Sequence, residues 1–126
     1  MESILISTKK LSNLTALYDA FDTDLIMYIN SVFLGLKQMG IGPKEGFIIE
    51  DDTSVWTDFI PDGTPEENLL REATKSYMGH KARMHFDPPS NATLNETLQR
   101  NIDEFEYRGR LEAELIEDSK EGIQNG

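Results

Sequence analysis

The chain has 126 residues, 38% of them apolar and 28% charged, with 23 Asp and Glu against 12 Lys and Arg and a formal net charge of -11. That length suits one small domain, burying roughly two-thirds of the surface its unfolded chain exposes. The longest apolar runs, Leu25-Ile26-Met27 and Phe47-Ile48-Ile49, fall far short of the ~20 residues that cross a bilayer. The absence of cysteine excludes a disulfide framework, thiolate zinc sites and a Cys nucleophile. The acidic balance argues against general affinity for nucleic-acid phosphates. Glu2, Ser3 and Ser7 break the only apolar stretch near Met1, so no secretory signal is expected. Without one, the sequons at Asn13, Asn91 and Asn95 read as chance matches.

In chain order, the pattern predicts a short helix around Ile4 to Leu11 and a connection of unassigned structure from Ser12 to Phe21. Asp22 is placed to cap a second helix carrying Leu25, Ile26, Ile29, Val32, Phe33 and Leu36, ended by Gly40 and the Gly42-Pro43 turn. Being the most apolar, it is expected at the centre. Phe47-Ile48-Ile49 suggests a short strand, and the segment after Glu50-Asp51-Asp52 a single helical turn holding Val55, Trp56 and Phe59. At Thr64-Pro65-Glu66-Glu67 a Thr cap, a Pro in the first helical position and a Glu that closes a capping box mark a helix start. Leu69, Leu70, Ala73, Tyr77 and Met84 continue that helix until Asp87-Pro88-Pro89 stops it after Phe86.

Ser90 or Asn91, with Thr93 to Glu96 as an alternative capping box, opens another long helix. Its stripe is Leu94, Leu98, Ile102 and Phe105, and Gly109 leaves room for another backbone. Tyr107, Leu111 and Leu115 fall off that stripe and form a second apolar strip, of the kind that makes contacts. The fold class is mainly α: a small helical bundle with an antiparallel hairpin joined at Pro88-Pro89, an irregular or β segment near 46–60 and a flexible tail. The domain is expected to span 1–115. Residues 116–126 have two apolar side chains, Ile116 and Ile123, among charges and glycines, and read as a C-terminal arm.

No catalytic, cofactor or metal site is apparent. His80 and His85 are five residues apart, about 140° around a helix, and do not readily share a metal. Glu50-Asp51-Asp52, Asp58 and Asp62-Gly63 superficially suggest a calcium loop, but the alternation and central Gly of an EF-hand are missing. Glu104 and Arg108 at i,i+4 explain each other as a helix-surface ion pair. The chain is therefore expected not to be an enzyme and to need no cofactor.

The run Tyr77-Met78-Gly79-His80-Lys81-Ala82-Arg83-Met84-His85-Phe86-Asp87-Pro88-Pro89-Ser90, followed by Leu94, Ile102, Glu104, Glu106 and Arg110-Leu111, resembles the small head-tail connector (adaptor) proteins of long-tailed phages. Asp24 to Phe33 and Glu50 to Phe59 are similar to the same family, and the likeness spans most of residues 3 to 115. One departure stands out: Tyr107 and Gly109 occupy the region where the family pattern would carry a Trp. The resemblance implies a virion component of the neck, assembled from subunits present in the host cytoplasm. It would be a ring of about twelve copies docked below the portal protein, extending the DNA exit channel and helping to retain the packaged genome. A stopper or tail-completion protein would dock beneath, and DNA would pass through the lumen without specific binding, in a setting that involves no membrane. Under this reading Tyr107, Arg108, Arg110, Leu111, Leu115, Ile116 and Ile123 are candidates for subunit and portal contacts, and Asp87, Pro88, Pro89 and Ser90 form the structural turn. The alternative is an acidic decoy that imitates DNA and inhibits a basic nucleic-acid-binding protein. Arg interleaved with the acids of the last helix disfavours it.

Overall fold

The computed structural model describes residues 2–14 and 21–125, with side chains described through Glu121. Among the described residues five helices follow one another: α1 (Ile4–Leu11), α2 (Asp22–Gln38), α3 (Trp56–Phe59), α4 (Pro65–Phe86) and α5 (Ala92–Asn125). No β-strand forms among the described residues, where Ser3 and Val55 make one isolated bridge. None of these helices is long and apolar enough to cross a membrane.

α1 is started by Ser3, whose Oγ accepts the Ile6 N–H at 2.9 Å. Two serines on its inward side are satisfied by hydrogen bonds, whereas the buried Thr8 hydroxyl has no partner among the described residues. The Ser12 hydroxyl donates to the Thr8 carbonyl at 2.6 Å, and Ser7 Oγ accepts the indole N–H of Trp56 at 2.8 Å. The Ile4 N–H donates to the Ser54 carbonyl at 2.9 Å, so α1 and the segment entering α3 are latched together. The unassigned connection from Ser12 to Phe21 lies largely outside the described residues.

Asp22 does not cap α2. Phe21 occupies the cap position with helical backbone and no side-chain bond, and the Asp22 carboxylate pairs with Lys9 of α1. The helix closes at Met39, followed by Gly40 and Gly42 at φ +85° and +91°. A Cβ on Gly42 would run into the Phe59 ring, so glycine answers both a left-handed backbone and a close approach. The suggested strand at 47–49 does not form: these residues have no regular structure, and among the described residues no segment pairs with them in a ladder. Asn30 of α2 takes the place of a partner strand: its Oδ1 accepts the Ile49 N–H at 2.8 Å and its Nδ2 donates to the Ile49 carbonyl at 3.0 Å.

Phe33, fully buried, gathers an aromatic cluster, with ring centroids at 4.7 Å to Phe59, 5.1 Å to Phe47 and 6.2 Å to Trp56. Such contacts add ~0.5–1.5 kcal/mol per pair to the burial of the rings themselves. α2 supplies Leu25, Ile29, Val32 and Leu36 to the same core. The hub of the bundle, however, is α4, which packs against each of the other four helices. Its start is the expected capping box, with Thr64 Oγ1 accepting the Glu67 N–H at 3.2 Å and Glu67 Oε1 accepting the Thr64 N–H at 3.3 Å. Gly79 sits where α1 crosses, and a Cβ there would come within 2.5 Å of Leu11 Cβ.

Candidate assembly interface

The hairpin turn is built as much by side chains as by its prolines. The Asp87 N–H donates to the Arg83 carbonyl at 2.8 Å and closes α4. Of the two candidate caps, Asn91 opens α5, its Oδ1 accepting the Leu94 N–H at 3.0 Å. Asn95 Nδ2 reaches back to the Pro89 carbonyl at 3.3 Å, fixing the angle at which α5 leaves. Ser90 and Pro88 are exposed.

From that turn α5 runs 34 residues, about 51 Å, antiparallel to α4. Leu98 and Ile102 are buried, Phe105 is half-buried and stacks on Tyr77 at 4.3 Å, and Leu94 is exposed. The room at Gly109 is taken by a side chain rather than a backbone, since Ile41 Cδ1 and the Phe105 ring would both lie 3.2 Å from a Cβ there. The helix continues past 115, where an arm was expected to begin. Ile116 packs against the core, Lys44 pairs with Glu117 at 3.2 Å, and Lys120 pairs with Glu67 at 3.5 Å.

On the side of α5 opposite this seam, Tyr107, Leu111 and Leu115 are 69%, 43% and 63% exposed and lie in one row. The other sequence candidates spread around the helix. Arg108 lines a groove of about 600 Å³ between α4 and α5 whose apolar walls are Leu69, Ala73 and Phe105. Arg110 lines a pocket of about 300 Å³ between α2, α4 and α5. Ile116 faces inward, and the side chain of Ile123 lies outside the described residues.

That second pocket holds the most organised polar contacts of the hairpin. The Tyr77 hydroxyl donates to Glu106 Oε2 at 2.8 Å and the Tyr28 hydroxyl donates to the Lys81 carbonyl at 3.1 Å. Burial, together with the Glu106 charge, holds both phenols above the usual tyrosine range. The groups are satisfied by one another, which makes them a brace between helices. His85 stacks on Tyr28 at 4.3 Å, while burial and the nearby Arg83 lower the pKa of His80. No group of three metal-ligating side chains converges among the described residues. In the acidic loop, Asp51 accepts the Thr53 hydroxyl at 2.5 Å and the Thr53 N–H at 2.9 Å, which together lower its pKa and make it a turn-forming carboxylate.

Sequence reasoning overlooked a second outward apolar face. Met27 and Leu34 of α2 are 67% and 57% exposed, one above the other at i,i+7. The available signal was the stretch after Asp24, which has no carboxylate until Glu45.

The architecture is thus a mainly α-helical bundle with outward apolar rows on α2 and α5. A family model, described as phage connector protein, matches residues 4–115, and the chain belongs to that family. No curated protein matches the chain, and no solved structure matches it.

Proposed function

We propose that the chain is the adaptor of a phage neck: about twelve copies form a ring beneath the portal, extend the DNA exit channel and help retain the packaged genome. The ring then offers its lower surface to a stopper or tail-completion protein, without catalysis or cofactor. The observation that carries this reading is the connector-family match over residues 4–115, which covers the hairpin and its Phe86-Asp87-Pro88-Pro89-Ser90 turn. A ring needs two different faces on each subunit, and the apolar rows of α2 and α5 supply candidates. A net charge of -11 also suits a channel that DNA slides through, because carboxylates repel phosphate.

Light scattering of the purified chain, alone and mixed with portal particles of the same phage, tests the proposal. A ring-sized addition to the portal is the expected result. A persistent 14.3 kDa monomer that ignores the portal overturns it, and displacement of DNA from a basic protein would favour the decoy reading. The end of α5, already helical, is proposed to contact a neighbour. Deleting residues 117–126 is expected to weaken portal attachment, and normal assembly of infectious particles without them would refute that role.

A further inference from the structure

The two halves of α5 are held differently. Up to Gly109 the helix buries Leu98, Ile102 and Gly109 itself, whereas from Arg110 to Glu121 no residue is buried. Ala113 and Ile116 touch the core, and a hollow lies on either side of them. One, of about 230 Å³, is walled by Phe59, Ile60, Pro61 and Leu70. The other, of about 370 Å³, is walled by Met39, Pro43 and Lys44. The ties across this seat are Lys44 with Glu117 at 3.2 Å and Lys120 with Glu67 at 3.5 Å, and ion pairs in contact with water contribute little.

The helix adds little of its own there. Five of the seven charged side chains from Arg110 to Glu121 are acidic. Glu114 with Asp118, and Glu117 with Glu121, set like charges at i,i+4. The opposing cations are Arg110, at i,i+4 to Glu114, and Lys120, drawn across to Glu67. No cation stands in the last turn to answer the helix dipole. Gly109, of a type that weakens a helix interior, marks the boundary between the buried seam and this end. A segment with few buried contacts and a poor helix of its own opens before the rest of the bundle.

Resting on the ring reading above, we propose that on assembly the end of α5 bends at Gly109, leaves its own body and takes the same seat on the next copy. The occupant follows from the seat, which is complementary to this segment by construction. Exchange reproduces every contact between chains, with Ile116 against the core, Glu117 on Lys44 and Lys120 on Glu67, so the difference lies in the bend while the copies become tied. Residues 110–125 make about 24 Å of helix, and in a ring the neighbour's seat stands at high effective concentration. The contact is head-to-tail, so it repeats from copy to copy and closes with the ring.

A Cβ at position 40 would lie 3.8 Å from Ala113 Cβ, within the span of a disulfide, and the chain has no cysteine. Gly40→Cys together with Ala113→Cys, oxidised as the free chain, is expected to give a bond within one chain. Particles from phage carrying both substitutions, oxidised and resolved without reductant, are expected to give a ladder of covalent multimers. Bonds confined within chains in those particles overturn the exchange and leave the connector reading standing. Multimers from either single substitution overturn it too. Because position 40 has a left-handed backbone that strains a cysteine, a second measurement uses the wild-type chain. Isotope-labelled and unlabelled chains are mixed, assembled on portal particles and treated with a carbodiimide, which condenses the Lys44 amine with the Glu117 carboxylate and releases water. Linked peptides that pair a labelled with an unlabelled partner are expected. Links of one label only, or no link between Lys44 and Glu117, overturn the exchange. Failure of the wild-type chain to join the portal would instead remove the connector reading, and this inference with it.

Discussion

The two arms of the hairpin, α4 and α5, are built on different principles although they lie side by side. α4 is enclosed by α1, α2, α3 and α5. It buries Leu70, Thr74, Tyr77, Met78, Gly79 and Ala82, positions that cover a little over half of the helix circumference. α5 packs chiefly on α4 and keeps one buried seam, with solvent on the other side. An enclosed helix is specified by fit at each contact: the Gly79 crossing, and the Thr74 hydroxyl that donates to the Leu70 carbonyl at 2.8 Å. An edge helix is specified by amphipathicity alone, which leaves its outer face available for a partner.

The contrast can be broken most forcefully at Met78, which is fully buried. Met78→Ala is expected to cost about 2–5 kcal/mol of folding stability, measured by urea denaturation. Next comes Arg71, only 7% exposed, whose Nη1 donates to the Ile60 carbonyl at 3.2 Å and pairs with Asp62 at 2.8 Å. Arg71→Ala would leave that carbonyl without its partner and is expected to cost about 1–3 kcal/mol, most of it from the buried bond, since Asp62 is solvent-exposed. Tyr77→Phe removes one brace between the arms and should cost about 1 kcal/mol at neutral pH.

The sign of the pH effect follows from the raised Tyr77 pKa. An unfolded tyrosine ionises near pH ~10, so the native contribution is complete below that value and declines as pH rises through and beyond it. Tyr77→Phe should therefore flatten the loss of stability above pH ~10, with Tyr28 keeping part of the slope. The smallest effect belongs to the outer face of α5. Leu111→Ser should change stability by less than about 0.5 kcal/mol while reducing incorporation into particles, and a large loss of stability would show that the row is core.

The same contrast explains how far the sequence could be read. The bounds of α4 were legible because Thr64, Pro65, Glu67 and the diproline are local signals, and so was the α5 seam through Leu98 and Ile102. The inward surface of α4 was not. Leu69 and Ala73 fit a helical stripe yet are exposed, whereas Arg71 and Thr74 are buried with their polar atoms bonded to the Ile60 and Leu70 carbonyls. Periodicity marks a helix whose wet side is polar, and it misleads on α4, whose wet side carries Leu69 and Ala73. At the interface, the outer row of α5 was legible as residues off the stripe. The α2 row was not, because Met27 and Leu34 lie within an apolar helix and only the folded chain separates them from the core.

The α4 capping box has a further consequence. The Glu67 carboxylate that holds the Thr64 N–H also faces Lys120 near the far end of α5. The bond from Thr64 lowers the Glu67 pKa, so the cap is intact at neutral pH and is lost as pH falls through and below the ordinary carboxylate range. Protonation would untie the first turn of α4 and the Lys120 turn of α5 together, and added salt would slacken the Lys120 tie alone. The proline end of the hairpin has no such knot, so under acid the two arms should splay like tongs, from the open end first.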